Sequence, residues 1–201
     1  MNRFYLTYLF AFTFFISYAQ KDSTQPRLFI EIEIGMIPVK SEGTESLNCY
    51  QGQLGLSYRI FSQWRPGLYG QTLHYYQNTN IANIDDKIIE LGSIDYYTMG
   101  LFMAYTLSFR KIGITPKLDM GYNIFNAKAL DYDLDNTSFL DYRYLSITPK
   151  LGLDYQFSEN FALGFFGGYN LQLTALKGQK LEAFDPSSYV VGIGARLGVG
   201  R

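Results

Sequence analysis

Two carboxylates lie two residues apart in the first segment of alternating apolar and polar residues, at Glu31 and Glu33. Alternate residues of a β-strand face the same side, so a strand here would bring both side chains to one face. One carboxyl group could then serve as a general acid and the other as a general base. The alternative is structural, because other segments supply bases by the same parity, and those bases would hold both carboxylates ionised.

Parity predicts four acids and four bases on one face of the predicted strands. An unpaired buried charge is costly, so equal numbers are expected to form a self-neutralising network. We favour this structural interpretation over an acid/base pair for the eight residues Glu31, Glu33, Arg59, Lys117, Asp119, Lys150, Asp154 and Arg196.

Three aspartates alternate with other residues at Asp131, Asp133 and Asp135. Oxygen ligands at alternate positions suit Ca²⁺, but the sixth and twelfth positions of such a loop hold Asn136 and Tyr142 where a calcium loop has Gly and Glu. We therefore expect a solvated acidic loop, with a loose external Ca²⁺ site as the alternative and no other cofactor.

The chain holds one histidine, His74, and one cysteine, Cys49. A single cysteine makes no internal disulfide, and Cys49 has no Cys or His neighbour at metal-ligand spacing. His74 has no Ser two residues away and no companion motif, so we interpret it as an interior or rim residue and not as a catalytic base.

Eight stretches of alternating apolar and polar residues must position these groups. The clearest stretch sets alternate residues from Tyr97 to Phe109 against small polar ones from Thr98 to Ser108, with Phe102 as the large exception on the polar side. The third stretch alternates less regularly: Tyr69, Leu73 and Tyr75 are assigned to the outer face, yet Gln71 shares that face. Period-two alternation predicts strands.

Three features favour a barrel whose apolar face meets lipid. The stretches run roughly 10–15 residues, the length of a tilted membrane-spanning strand. Their polar faces are rich in Gly, Ala, Ser and Thr, as a crowded lumen requires. Aromatic residues flank both ends of the stretches: Phe61, Trp64, Phe109, Phe157 and Phe161 near the short connections, and Tyr50, Tyr75, Tyr97, Phe125, Tyr144 and Tyr189 near the long ones.

Short and long connections alternate along the chain. Short ones fall near 62–66, 110–112 and 158–160, and long ones near 38–48, 78–93, 126–141 and 175–187. Outer-membrane barrels have short periplasmic turns and long external loops. The sequence thus predicts an all-β, eight-stranded antiparallel up-and-down transmembrane barrel with both termini in the periplasm.

The second long connection carries an apolar stripe at helical spacing, formed by Ile81, Ile84, Ile88 and Leu91. Such a stripe in an exposed loop caps the barrel mouth or contacts a protein partner. We expect capping, with a partner contact as the alternative.

Residues 1–19 read as a secretory signal peptide, with Arg3 before an apolar run and Ser17-Tyr18-Ala19 as the cleavage pattern. Residues 20–201 are then expected to form one barrel domain. The formal charge of −1 in 201 residues does not favour a nucleic-acid partner.

A repeat supports the strand register. Ile114-Thr115-Pro116-Lys117-Leu118 recurs at 147–151, and parity turns both prolines outward and both lysines inward. Because proline cannot donate to a sheet ladder, each is expected to mark a bulge or a gap in pairing.

The chain resembles the small outer-membrane β-barrel family of OmpA- and OmpX-like proteins, and within it the single-domain barrels of Bacteroidetes. The segment ITPKLGLDYQF at 147–157, the segment GIGARLGVG at 192–200 and the Ala19-Gln20 junction carry this resemblance. It implies an outer-membrane location and lipid contact and specifies architecture more than activity; we expect no enzymatic activity, because no catalytic constellation stands out among the residues.

Three functions follow from this architecture. An eight-stranded barrel is just wide enough for side chains to fill, so we expect a plugged anchor that presents external loops for envelope integrity, surface contact or a complex. A narrow porin-like channel for small solutes is the alternative. A lipid-modifying enzyme that uses His74 is the lesser alternative.

Overall fold

The computed structural model describes residues 27–39, 47–60, 63–75, 80–84, 87–131, 136–177 and 188–199. Within them no helix is long and apolar enough to cross a membrane. The strands are β1 (Leu28–Val39), β2 (Leu47–Tyr58), β3 (Trp64–Tyr75), β4 (Asn80–Ile84), β5 (Lys87–Tyr105), β6 (Leu107–Phe109), β7 (Ile112–Asp131), β8 (Asn136–Ser158), β9 (Phe161–Lys177) and β10 (Ser188–Val199).

The strands close into an antiparallel barrel. Each pairs with its neighbours in chain order, and β1 pairs with β10 from Leu28↔Val199 to Met36↔Val191. Strand β6 continues β5 after a break at Thr106 and keeps the same partner, β7, while β4 is added at the edge of β5. Eight strands therefore form the wall, which confirms the predicted fold.

Alternate residues of β1 point to opposite faces of the wall, one buried in the lumen and one exposed, as the alternation in the sequence predicts. Along β1, Glu31 and Glu33 are buried, whereas Ile34 on the opposite face is 56% exposed. Phe102 is buried inside the barrel. Leu, Ile, Met, Val and Phe side chains cover the outer face, which is therefore apolar along most of the wall.

Strand β3 has the opposite parity to the one predicted. Tyr69 and Leu73 are buried inside the barrel, and Leu68 lies on the outer face with 51% of its surface exposed. The prediction assigned faces by apolarity alone, but an eight-stranded lumen also accepts large aromatic and aliphatic side chains as filling.

The aromatic residues divide between girdle and lumen. Near the long connections the exposed aromatic residues of the outer face are Tyr50, Tyr97 and Tyr189. Near the short turns they are Trp64, Phe109 and Phe157. Phe125 and Tyr144, also predicted to flank the long loops, are instead fully buried in the lumen. Phe61 and the side chain of Tyr75 lie outside the described part.

Two predicted loops contain strands. The apolar stripe of the second loop is not helical: Ile81 and Ile84 belong to β4, Ile88 and Leu91 belong to β5, and the two strands pair from Asn80↔Leu91 to Ile84↔Lys87. Strands β7 and β8 likewise extend through the expected third loop to the pair Asp131↔Asn136.

Both prolines of the repeat lie on the outer face, and Lys117 and Lys150 are buried. The β5–β7 ladder stops at Ala104↔Lys117 and β6–β7 resumes at Leu107↔Ile114, so Pro116 falls in the gap. The β8–β9 ladder likewise skips Pro149 without changing register. The predicted gaps are confirmed.

Some predictions fall outside the described structure. The expected signal peptide at 1–19 and the acidic residues Asp133 and Asp135 are among the residues left undescribed. Asp131 ends β7, but its side chain, like those of Cys49 and His74, is also outside the described part.

Candidate functional site

The centre of the lumen holds Glu33 between two lysines from the opposite wall. Lys117 Nζ donates a hydrogen bond to Glu33 Oε1 over 2.5 Å, and Lys150 Nζ donates to Glu33 Oε2 over 2.6 Å. The lysines lie opposite each other on β7 and β8, while Glu33 crosses from β1. Each carboxylate oxygen thus faces its own ammonium group.

A second acid completes this centre. Asp119 Oδ2 lies 2.7 Å from Lys150 Nζ, and Asp119 Oδ1 lies 3.7 Å from Lys117 Nζ. Gln53 donates to Asp119 over 3.3 Å and accepts from Lys150 over 2.9 Å. Two acids and two bases, all four of them among the residues assigned to the ionic network from the sequence, therefore lie in mutual contact.

Glu31 connects the centre to the short-turn end of the barrel, defined by the turns that follow β2, β6 and β8. It accepts a hydrogen bond from Ser57 over 2.6 Å and one from Arg65 Nε over 3.3 Å, and it lies 3.6 Å from Lys117. A general base needs a free, positioned oxygen, so these contacts favour the structural interpretation of the Glu31–Glu33 pair.

Arg65 is the residue that the sequence analysis missed. Its side chain is buried, and besides Glu31 it contacts Thr106 Oγ1 over 2.5 Å. Since Gln71 shares a face of β3 with Arg65, two polar residues on one face were the signal that the face is interior.

A chain of hydrogen bonds continues along the short-turn end. Thr106 and Thr115 hydroxyls lie 3.1 Å apart, and Thr115 donates to Asp154 over 2.7 Å. Arg196 reaches the same Asp154 carboxylate at 3.4 Å. The predicted residues Asp154 and Arg196 thus form a second ion pair, next to the central one.

The predicted residue Arg59 lies apart from the central ion pairs. It follows the last residue of β2, is half-buried, and holds its guanidinium carbon 4.9 Å from the centroid of the Phe29 ring. Arg65, and not Arg59, is the buried arginine that contacts Glu31 toward the short-turn end.

The half of the lumen toward the long loops is polar but uncharged among the described side chains. Asn123 accepts hydrogen bonds from Tyr96 over 2.6 Å and Thr98 over 2.7 Å, and it donates to Ser146 over 2.8 Å. Tyr96 and Tyr144 hydroxyls lie 2.9 Å apart. Phe125 packs in the same half, so side chains and their hydrogen bonds fill it.

Two cavities between described lumen side chains are small. One cavity of about 50 Å³ lies between the two ion-pair groups, and another of about 20 Å³ lies between Gln51, Tyr69 and Asn123. Such volumes hold a few water molecules or one small ion. The described lumen is therefore a packed polar core.

A separate ion pair lies on the outer face beyond the apolar band. Asp141 accepts hydrogen bonds from Arg143 Nε over 3.0 Å and from Lys177 over 2.6 Å. These hydrogen bonds, that from Arg143 first, lower the pKa of Asp141 from its ordinary value to about 2. Charged outer-face residues here mark where the apolar band ends.

The described residues contain no group of three His, Cys, Asp or Glu side chains placed to hold a metal ion. The proposed Ca²⁺ ligands Asp131, Asp133 and Asp135 are not among the side chains that this statement covers.

No known protein family and no curated protein matches the sequence. Solved structures do match. Neisserial surface protein A is 14% identical, with a TM-score of 0.58 over 86% of this chain and 97% of that one. The attachment invasion locus protein of Yersinia pestis is 15% identical, with a TM-score of 0.55 over 87% and 100%.

A major outer membrane protein from Thermus thermophilus is 13% identical, with a TM-score of 0.56 over 85% of this chain and 98% of that one. At these identities the likeness shows the fold alone. The chain therefore has the fold of small outer-membrane barrels.

Proposed function

We propose that this chain is a non-enzymatic integral outer-membrane protein with a plugged lumen, which anchors an external β-sheet that contacts a protein partner. The short turns and both termini then face the periplasm, residues 1–19 direct export, and the protein belongs with the single-domain OmpA- and OmpX-like barrels of Bacteroidetes.

The outer face supports insertion in lipid. Its exposed side chains are apolar, with Leu54 at 59%, Met99 at 60% and Phe165 at 70% exposure. Monomeric soluble proteins rarely expose such a continuous apolar surface. A hydrocarbon layer bounded by the Tyr and Trp girdles would cover it.

The lumen supports an anchor over a channel. Glu33, Lys117, Lys150 and Asp119 are all buried and mutually bonded across the middle of the barrel. A solute passing through would have to break several charge-assisted hydrogen bonds at once, each of which is strong in a low-dielectric interior.

The observation that carries the proposal is the length of β7 and β8. Strand β7 has 20 residues, paired with β8 along its whole length, whereas β2 has 12. At roughly 3.3 Å per residue and a tilt of about 40°, β7 rises about 50 Å, twice the roughly 25 Å apolar band. One side of the wall therefore projects well beyond the membrane.

The projection is a sheet of four strands. Strand β4 pairs with the start of β5, β5 pairs with the end of β7 at Ile89↔Asp131, and β7 pairs with the start of β8. Strand β4 forms one edge of this external sheet. Exposed sheet edges accept a partner strand through backbone hydrogen bonds.

Crosslinking tests the proposal. A photoreactive residue placed at Asn83 in β4 is expected to capture a specific, stoichiometric partner in intact outer membranes, and one at Leu151 on the lipid-facing surface is the matched control. Capture of the same proteins from both positions would contradict a partner role for the external sheet.

Conductance tests the plugged lumen separately. Purified barrel in planar bilayers is expected to add no steady large conductance. A stable open level would overturn the anchor and favour the channel, in which case Lys150→Met should change ion selectivity.

A further inference from the structure

The turn between β6 and β7 consists of two basic residues. Phe109 pairs with Ile112 across it, so Arg110 and Lys111 form the turn, and both side chains are exposed. The carbonyl oxygen of Lys111 accepts a hydrogen bond from the backbone N–H of Gln156 over 2.7 Å, which ties the turn to β8. Two positive charges are therefore held at a fixed place at the short-turn end.

Arg110 has a backbone conformation that disfavours an arginine. Its φ is 56°, in the left-handed region, and no other non-glycine residue in the described ranges has a positive φ. Glycine and asparagine are the usual residues at such positions of two-residue hairpin turns, because a side chain adds steric strain there. Strained residues occur where the structure uses them, so the position points to a role for the guanidinium group.

Apolar side chains flank the turn on the outer face. Phe109 and Ile112 are exposed there, and Ile112 pairs with Tyr155 of β8, another exposed aromatic residue. Aromatic girdles mark the border between hydrocarbon and headgroups, and the two bases directly follow Phe109 in the chain. They thus lie at the depth of lipid headgroups, where long cationic side chains extend to the polar layer.

The charge of this surface favours an anionic ligand. The turn between β8 and β9, at the same end of the barrel, holds one exposed acid, Glu159. Two exposed bases in one turn therefore face one exposed acid in the other. Basic residues next to a bilayer are attracted to anionic lipids, and a guanidinium group presents paired N–H donors that match phosphate oxygens.

We propose that Arg110 and Lys111 bind the phosphodiester headgroup of an anionic phospholipid, in the leaflet that borders the short turns. Arg110 donates paired hydrogen bonds to the phosphate, Lys111 adds a second positive charge, and Phe109 and Ile112 pack against the start of the acyl chains. The inference rests on the insertion in lipid proposed above and not on a protein partner at β4.

Trp64 offers a local probe for the test, because it is the one tryptophan of the chain and lies beside this turn. It is exposed on the outer face and pairs with Tyr105, and its neighbour Gln63 accepts a hydrogen bond from the backbone N–H of Thr106, just before β6. Brominated acyl chains quench the fluorescence of a tryptophan that they contact. Quenching of Trp64 therefore reports which lipid lies next to the turn.

The full chain is refolded into vesicles of brominated phosphatidylglycerol mixed with unbrominated phosphatidylcholine, which is zwitterionic, and the reverse labelling is the reference. The wild type is expected to prefer phosphatidylglycerol near Trp64 about fivefold or more, the factor that one base at an anionic surface supplies. Replacing Arg110 and Lys111 together by glutamine should remove the preference. Lys177→Gln, which removes an exposed base at the opposite end of the barrel, should leave it unchanged.

Arg110→Gly and Arg110→Gln separate the side chain from the backbone. In phosphatidylcholine vesicles Arg110→Gly should unfold at a higher temperature than Arg110→Gln, because glycine adopts the left-handed conformation without strain. Both variants should lose the same part of the lipid preference, since both lack the guanidinium group. A preference that Arg110→Gln loses and Arg110→Gly keeps would overturn the proposal, because the charge would then not set it.

Equal quenching by the two lipids in the wild type would also overturn the proposal, as would a loss with Lys177→Gln as large as that with the double replacement. In both cases quenching itself still shows that the barrel is in lipid, so the proposed anchor stands. Absence of quenching by either brominated lipid would contradict insertion, and with it both proposals.

Discussion

Lys117 and Lys150 lie directly opposite each other on β7 and β8, and the single carboxylate of Glu33 accepts a hydrogen bond from each. Like charges in directly opposed positions of a sheet repel. Here the repulsion is offset because each ammonium contacts a different oxygen of Glu33, and because Asp119 lies on the other side. The lumen therefore depends on its acids to hold two adjacent bases.

Replacing Glu33 by glutamine should destabilise the barrel strongly. The change leaves Lys117 and Lys150 facing each other with less compensation, and breaking a buried ion pair costs about 3–5 kcal/mol. Urea unfolding of the refolded barrel in lipid vesicles measures the loss. Glu159→Gln in an exposed turn is the control and should change stability by less than about 0.5 kcal/mol. Equal stability of the two variants would contradict the role given to Glu33.

Replacing Lys117 and Glu33 together should lower the free energy of unfolding by less than the sum of the two single replacements. In a double-mutant cycle with Glu33→Gln and Lys117→Met, the coupling is expected to reach about 1–3 kcal/mol, since the two groups share a hydrogen bond. The same unfolding assay measures the free energy of unfolding of the wild type, of each single variant and of the double variant. A coupling near zero would mean that the two residues act independently.

Alanine at Gly192 should destabilise the junction between β1 and β10. A Cβ there would lie 2.6 Å from the Cα of Gly35 and 2.8 Å from the Phe166 ring, and the Gly35 atom belongs to the backbone and cannot rotate away. Overpacking of this kind costs about 1–3 kcal/mol. Gly52→Ala is the matched control, because a Cβ at Gly52 meets nothing within 4 Å. A thermal unfolding temperature lowered equally by both changes would argue against this tight contact.

The Asp141 carboxyl should stay ionised down to a pH of about 2, where the hydrogen bonds from Arg143 and Lys177 set its pKa. Because this folded pKa is depressed, the stabilisation from Asp141 is present above the ordinary carboxyl pKa and is lost as the pH falls through about 2. Carboxyl NMR titration measures the pKa. Lys177→Met should raise the pKa and Glu159→Gln should not, whereas an ordinary pKa in the wild type would contradict the contacts.

The charged residues at the centre of the lumen could be assigned to the interior because the segments around them in β1, β7 and β8 alternate apolar and polar side chains. Glu31, Glu33, Lys117, Asp119 and Lys150 each share a face with small or polar neighbours, so parity alone places them inside. The proline gaps are predictable for a similar reason, since the missing N–H of proline is a local property.

The same reasoning fails where interior side chains are large and apolar. Tyr69, Leu73, Phe125 and Tyr144 look like lipid-facing or girdle residues, yet they fill the lumen. Apolarity separates the two faces only when the interior is polar throughout. Arg65 was missed as a consequence, because its strand was assigned the wrong parity.

The sheet formed by β4, β5, β7 and β8 was missed for a different reason. Residues 81–91 show helical spacing, but the spacing arises from a hairpin in which Ile84 pairs with Lys87, and β5 gains a further partner in β7. Pairing between distant segments leaves no local period, so only the folded chain reveals it.

The sequence distance between the partners of Glu33 bears on how the barrel assembles. Glu33 is 84 residues from Lys117 and 117 residues from Lys150. A partly assembled wall that contains β1 without β8 would carry unmatched charges at the depth of the membrane, where they are very unfavourable. Such intermediates are disfavoured, so the order of assembly is biased toward bringing β1 together with β7 and β8 before the barrel enters lipid.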